Sequence, residues 1–150
     1  MPYLHTIANS SGAAFAKWMA AMPATQHRKA APKAAWHLAR LGATQAQDCG
    51  TCVQIVVNVA VRDGVAAETI RTALDDPAAL AEADALAFSY GRAVSAQADD
   101  VLDWVERSEA AFGHDAHVEL AVAVAMCQIF PVVKRGLGMA VACSRVQVEV

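Results

Sequence analysis

Alanine constrains this chain more than any other feature: 35 of its 150 residues are Ala. Alanine gives up no side-chain freedom in a helix, and its short side chain lets helix axes approach closely; strands prefer β-branched and aromatic residues instead. The hydrophobic fraction of 56% is therefore largely helix-forming methyl groups and not bulky sheet-forming side chains. A chain of this length suits one domain with a core large enough to need no disulfide or metal as a staple. The expectation is an all-α, single-domain helical bundle, with residues 1–31 as an N-terminal helix and connection and 143–150 as a tail.

Periodicity and punctuation divide the chain further. A first helix is expected over 11–22, capped by Ser10 or Ser11, with Phe15, Trp18, Met19 and Met22 on one face and Pro23 as its stop. A polar connection over 24–31 leads to Pro32, which suits the first turn of a second helix carrying Trp36, His37, Leu38 and Leu41. Gly42 and the polar run 44–48 mark a turn, with Asp48 or Cys49 at the next cap. From Gly50, Cys52, Ile55, Val56, Val59 and Ala60 recur at helical spacing up to Gly64. The β-branched run 53–61 also suits a strand, but its length and the helix signals at both ends favour helix. Further helices are expected over 66–74, 79–97 and 100–112. A long apolar helix follows from His114, kinked or ended by Pro131. Residues 134–142 read as helix, with Gly136 and Gly138 admitting a close neighbour, and 144–150 as an alternating tail.

The net charge of −3 and the lack of a dense Lys/Arg cluster argue against a nucleic-acid partner. The apolar stretch 120–133 is broken by Gln128 and Pro131 and is short for a bilayer, so no membrane span is expected. Lys17 falls where a signal peptide would need an apolar core, so the expected compartment is the reducing cytoplasm. In that compartment a CxxC more often means redox chemistry or metal binding than a structural disulfide.

Such a pair is present as Cys49-Gly50-Thr51-Cys52, at the point where a polar turn runs into an apolar helix. Free backbone N–H groups and the positive end of the helix dipole stabilise a thiolate there. Three readings stand side by side: a redox dithiol, half of a metal site, or inert cysteines at a helix start. Zinc needs four ligands and no second CxxC exists, so no metal or other cofactor is expected. Asp48 opposes thiolate formation, whereas a protonated His37 nearby would favour it. His37 can act as proton acceptor for a thiol if its helix packs antiparallel to the Cys49 helix; otherwise it simply borders the core between Trp36 and Leu38. Gln47, Gln54 and Asn58 are further candidates for hydrogen bonds near the thiols. Cys127, in an apolar run, reads as a small buried hydrophobe, and Cys143 similarly. His114 and His117, near Asp115 and Glu119, read as a solvated first turn before a surface metal site.

The string Cys49-Gly-Thr-Cys52-Val53, followed by Ala60, Gly64-Val65 and Glu68-Thr-Ile70, resembles the carboxymuconolactone decarboxylase-like superfamily, and within it the alkylhydroperoxidase AhpD branch. Phe130-Pro131, Lys134-Arg135 and Gly138 are similar to the closing helices of some members. The resemblance covers roughly residues 32–142 and implies an AhpD-like helical bundle, a homo-oligomer (trimer or hexamer) and disulfide chemistry. It implies that Cys52 attacks a peroxide, while Cys49 resolves the product and meets an external dithiol reductant. In that branch a glutamate twelve residues before the first cysteine and a histidine four after the second relay protons; here those positions hold His37 and Val56.

The combined expectation is a thiol–disulfide redox protein, with Cys49, Cys52 and His37 as catalytic residues and a small peroxide or disulfide as substrate. Two other readings stay open: a non-catalytic helical binding or assembly protein that lost the relay, and a lactone-decarboxylase-like enzyme that makes no use of the thiols. The apolar faces of the last two helices favour self-association.

Overall fold

The computed structural model describes residues 2–139, which form eight α-helices and, among the described residues, no strand. In chain order these are α1 (Pro2–Ser10), α2 (Gly12–Ala21), α3 (Lys33–Ala46), α4 (Gly50–Arg62), α5 (Ala67–Asp75), α6 (Glu82–Ala96), α7 (Val101–Phe112) and α8 (His114–Gly136). Short 3-10 turns at Met22–Gln26 and Pro77–Ala79 complete the path. The all-α architecture expected from the alanine content is the one observed.

The bundle is organised around α3. Every residue from Ala35 through Thr44 is buried, so this helix is enclosed on all sides and not merely on one stripe. It packs against α4, α6 and α8. One side of the core joins Trp36, Tyr90, Leu120 and Val124; the other joins Leu38, Leu41, Val57, Ile70 and Phe88. Burying each of the larger of these side chains stabilises the fold by roughly 1.5–3 kcal/mol.

The closest helix pair is α3 with α6, and two glycines make it possible. A Cβ on Gly42 would collide with the Phe88 carbonyl, and one on Gly91 with the backbone of Ala39. Ala39, Ala43 and Ala87 line the same crossing, each fully buried. The sequence reading placed close approach at Gly136 and Gly138 instead, but a Cβ at either meets nothing within 4 Å. Both lie where α8 runs out into solvent.

Helices α3 and α4 form an antiparallel hairpin. At its open end Lys33 Nζ donates to the Asp63 carbonyl at 2.8 Å, and His37 Nε2 lies 2.9 Å from the Asp63 carboxylate. At its closed end Asp48 adopts a left-handed φ of 49° and Cys49 caps α4. The β-branched run is helical, as expected, and Gly64 ends α4 at φ +86° while the Val65 N–H reaches back to the Ala60 carbonyl at 3.0 Å.

Several boundaries differ from expectation. Residues 2–10 are helical and contribute a buried Tyr3. Pro131 neither ends nor separates the last helix, because α8 continues through it to Gly136. Proline forfeits a backbone bond at a cost of about 3 kcal/mol; here its ring is buried in the bundle and a further helical turn follows. The uninterrupted α8 has the length and apolar composition to cross a membrane. In this fold one face of it packs on α3, α6 and α7 instead. Cys143 and the tail over 144–150 lie outside the described residues, as does part of the helix expected over 134–142.

Candidate functional site

The local sequence explains where the cysteines stand. The turn expected at Gly42 and 44–48 is shorter than that: α3 continues through Gly42 and Thr44 to Ala46, and Asp48 then reverses the chain, so Cys49 becomes the N-cap residue and Cys52 falls in the first turn of α4. The N–H groups of Cys52 and Val53 bond to the Cys49 carbonyl at 2.9 and 3.0 Å. Both thiols are free and buried, with only 2% and 4% exposure. The two thiols lie near each other without a disulfide, and the Thr51 hydroxyl lies 3.6 Å from Cys49 Sγ.

A cation completes the group. Lys134, in the last turn of α8, donates to Thr51 Oγ1 at 3.2 Å and to Cys52 Sγ at 3.4 Å. Its neighbour Arg135 fixes that end of α8 to the turn before the cysteines, donating to the Gln47 carbonyl at 2.8 Å. Gln47 in turn donates to Ser95 Oγ at 2.9 Å, and Ser95 to the Ala43 carbonyl at 2.8 Å. Gln47 thus holds the scaffold around the thiols and does not touch them. Gln54 and Asn58 bond to each other on the exposed face of α4.

The two thiols differ in acidity. Burial pushes Cys49 up, but hydrogen bonds from the Cys52 thiol, the Thr51 hydroxyl and the Cys52 backbone N–H, with the Lys134 charge, together bring it below its ordinary value. Burial also pushes Cys52 up, and its hydrogen bond to Cys49 adds to the effect; Lys134 offsets only part, leaving Cys52 at about 11. The first negative charge of the dithiol therefore resides on Cys49, with the shared proton on Cys52.

The sulfurs also face different spaces. Cys52 lines a cavity of about 230 Å³ walled by α1, α2, α3, α4 and α8, with Met19, Met22, Ile55, Val56 and Phe130 as its apolar surface. Tyr3 stands over this cavity, its ring 5.7 Å from Lys134 Nζ and edge-on to Trp18, which is itself edge-on to Phe130. Cys49 lines a separate, more polar cleft with Gln45, Asp48, Asp75 and Arg92.

His37 is not part of this group. Helix α3 does pack antiparallel to α4, but that direction puts His37 beside Asp63, the C-cap of α4, whereas Cys49 is its N-cap. Fourteen residues at about 1.5 Å each separate the two caps by roughly 20 Å. The expected relay between His37 and the thiols is therefore corrected: His37 is a buried residue stacked edge-on against Trp36. Burial pushes its imidazole below the ordinary value despite the opposing hydrogen bond to Asp63.

One and two turns further along α3, the residues that do reach the Cys52 cavity are Arg40 and Thr44. Neither Arg40 nor Lys134 was singled out as a site residue from sequence. For Arg40 the available signal was a permanent cation set among Leu38, Ala39 and Leu41. Lys134 reaches the site from 82 positions away, and no local pattern announces such a contact.

Among the described residues no group of three or more His, Cys, Asp or Glu side chains converges as a metal site. His114 pairs with Glu109 at 2.7 Å and His117 with Ser108 at 3.1 Å. Glu119 accepts the backbone N–H groups of Lys29, Ala30 and Ala31 at 2.9 Å each. Cys127 is buried in the core, as expected. No family model, curated protein or solved structure matches the chain.

Proposed function

We propose that this protein is a thiol–disulfide redox protein of the alkylhydroperoxidase type, reducing a hydroperoxide through Cys49 and Cys52. The observation that carries the reading is a buried dithiol whose two sulfurs open onto different spaces, with the Lys134 ammonium 3.4 Å from Cys52 Sγ.

Transfer of the shared proton from Cys52 to Cys49 leaves a thiolate on Cys52, beside Lys134 and facing the apolar cavity. As the less acidic of the two thiols, Cys52 gives the stronger nucleophile once it is ionised. Its sulfur attacks the distal oxygen of the hydroperoxide, the O–O bond breaks, and the departing alkoxide takes a proton from Lys134 and leaves as an alcohol. Cys52 is now a sulfenic acid, two electrons oxidised. The Cys49 sulfur attacks it, water departs, and a Cys49–Cys52 disulfide forms. An external dithiol, entering by the Cys49 cleft, reduces the disulfide by two exchange steps. Lys134 takes the proton-supplying part that the resemblance gave to a relay histidine. The exposed apolar side chains Val118, Val122 and Val132 along α8 support self-association of such a unit.

A second reading, a binding or assembly protein without catalysis, draws its support from the distance of His37 from the thiols. Dithiothreitol-dependent consumption of hydrogen peroxide and cumene hydroperoxide by wild type, Cys49→Ser and Cys52→Ser separates the two. Loss of turnover in both variants is expected; turnover unchanged in both would remove the redox reading.

A further inference from the structure

The Cys52 cavity contains a charge that no carboxylate answers among the described residues. Arg40 is 4% exposed, lines the cavity, and its Nε and Nη1 have no hydrogen-bond partner among the described residues. The guanidinium stacks on Trp36 with its central carbon 4.2 Å from the ring. Stacking offsets some of the lost hydration but leaves the Nε and Nη1 donors unsatisfied. Among the described residues no carboxylate lines the cavity. A buried guanidinium cannot relieve itself by deprotonation, and an unpaired buried charge is strongly destabilising. Chains retain such a group where a partner arrives from outside, and the planar fork of arginine matches a carboxylate.

The rest of the cavity defines the remainder of that partner. Leu4, Met19, Met22, Ile55 and Phe130 form its apolar wall, with two flexible methionines able to adapt to a chain. An apolar cavity of about 150 Å³ holds a six-carbon ring, so about 230 Å³ takes a body of roughly eight to ten heavy atoms. We propose that the cavity binds a medium-chain carboxylate, its head on Arg40 and its chain among the α1, α2 and α8 side chains, so that the substrate of the dithiol is a hydroperoxide of such an acid. The choice of a hydroperoxide rests on the redox reading above. The carboxylate site stands on Arg40 and the cavity alone.

Octanoate and its neutral counterpart 1-octanol are suitable probes, with binding measured calorimetrically on the Cys52→Ser protein. Octanoate is expected to bind at least about tenfold more tightly than octanol, the scale of one charge-assisted pair. In Arg40→Met, close in volume but neutral, that preference should vanish while octanol binding persists. Equal affinity for the two probes, or octanoate preference retained in Arg40→Met, would overturn the proposal. The comparison of the two probes on the Arg40-containing protein decides the matter even if Arg40→Met does not fold. Peroxide turnover by the wild type reports on the dithiol and octanoate binding to Cys52→Ser reports on the cavity, so the two readings can fail separately.

Discussion

Replacing Lys134 by Met should raise the pKa of the dithiol and slow its reactions at neutral pH. The Nζ to Cys52 Sγ separation of 3.4 Å gives a Coulomb attraction for a thiolate of about 1 kcal/mol at the dielectric of water and about 5 kcal/mol at an effective value near 20. Lys134 is half-buried in the last turn of α8, so solvent screening draws the figure toward the lower end. At about 1.4 kcal/mol per pKa unit, loss of the ammonium raises the pKa of the Cys52 thiol by about one unit, and moves Cys49, which the same charge also lowers, in the same direction. The sign is unambiguous, since a nearby cation favours the ionised form. Below that pKa the thiolate population falls about tenfold at a given pH. The rate of iodoacetamide alkylation at Cys49 and Cys52, followed from pH 5 to 10 by peptide mass spectrometry, measures the shift. Lys134→Arg keeps the charge and should restore most of the wild-type profile. A Lys134→Met profile superimposed on wild type would show that the ammonium does not act on the thiols, and would remove its part in the mechanism.

Two further outcomes test the scaffold. Gly91→Ala drives a Cβ into the Ala39 backbone, so overpacking at the upper end of its usual range, about 3 kcal/mol, should lower the melting temperature by roughly 6–12 °C; an unchanged calorimetric melt would contradict the close α3/α6 crossing. His37 is held below its ordinary value chiefly by burial, so the unfolded chain binds more protons than the folded one between the two pKa values. Stability contributed by the neutral imidazole should therefore be complete above pH of about 6.5 and decline as pH falls toward the folded value; urea melts of His37→Gln should lack that component, and an identical acid profile in both proteins would refute it.

The fold was legible where its causes are local. Alanine content and helical spacing fixed the class, and Gly64 marked the end of α4. The apolar stretch 53–61, readable as strand or helix, was resolved by length and flanking residues. Features that depend on which helices meet were not legible. Gly42 and Gly91 matter because α3 crosses α6, and neither glycine differs locally from Gly136 or Gly138, which face open space. Pro131 carries a local signal for a break, but its buried place in the bundle supports continuation of α8. At the site, the cysteine pair announced itself through spacing and position. His37 took its expected part from a family position, whereas it is Arg40 and Thr44, nearer the closed end of the hairpin, that line the same cavity as Cys52. Arg40 and Lys134 gain their meaning only when α1, α2, α3, α4 and α8 close around one cavity.

The most direct test of the dithiol cycle is to treat the fully reduced protein with one equivalent of hydrogen peroxide, alkylate under denaturing conditions and map the cysteines by mass spectrometry. A Cys49–Cys52 disulfide is expected, with Cys127, buried in the core, recovered as the alkylated thiol. Recovery of Cys49 and Cys52 as free thiols, with the peroxide unconsumed, would contradict it.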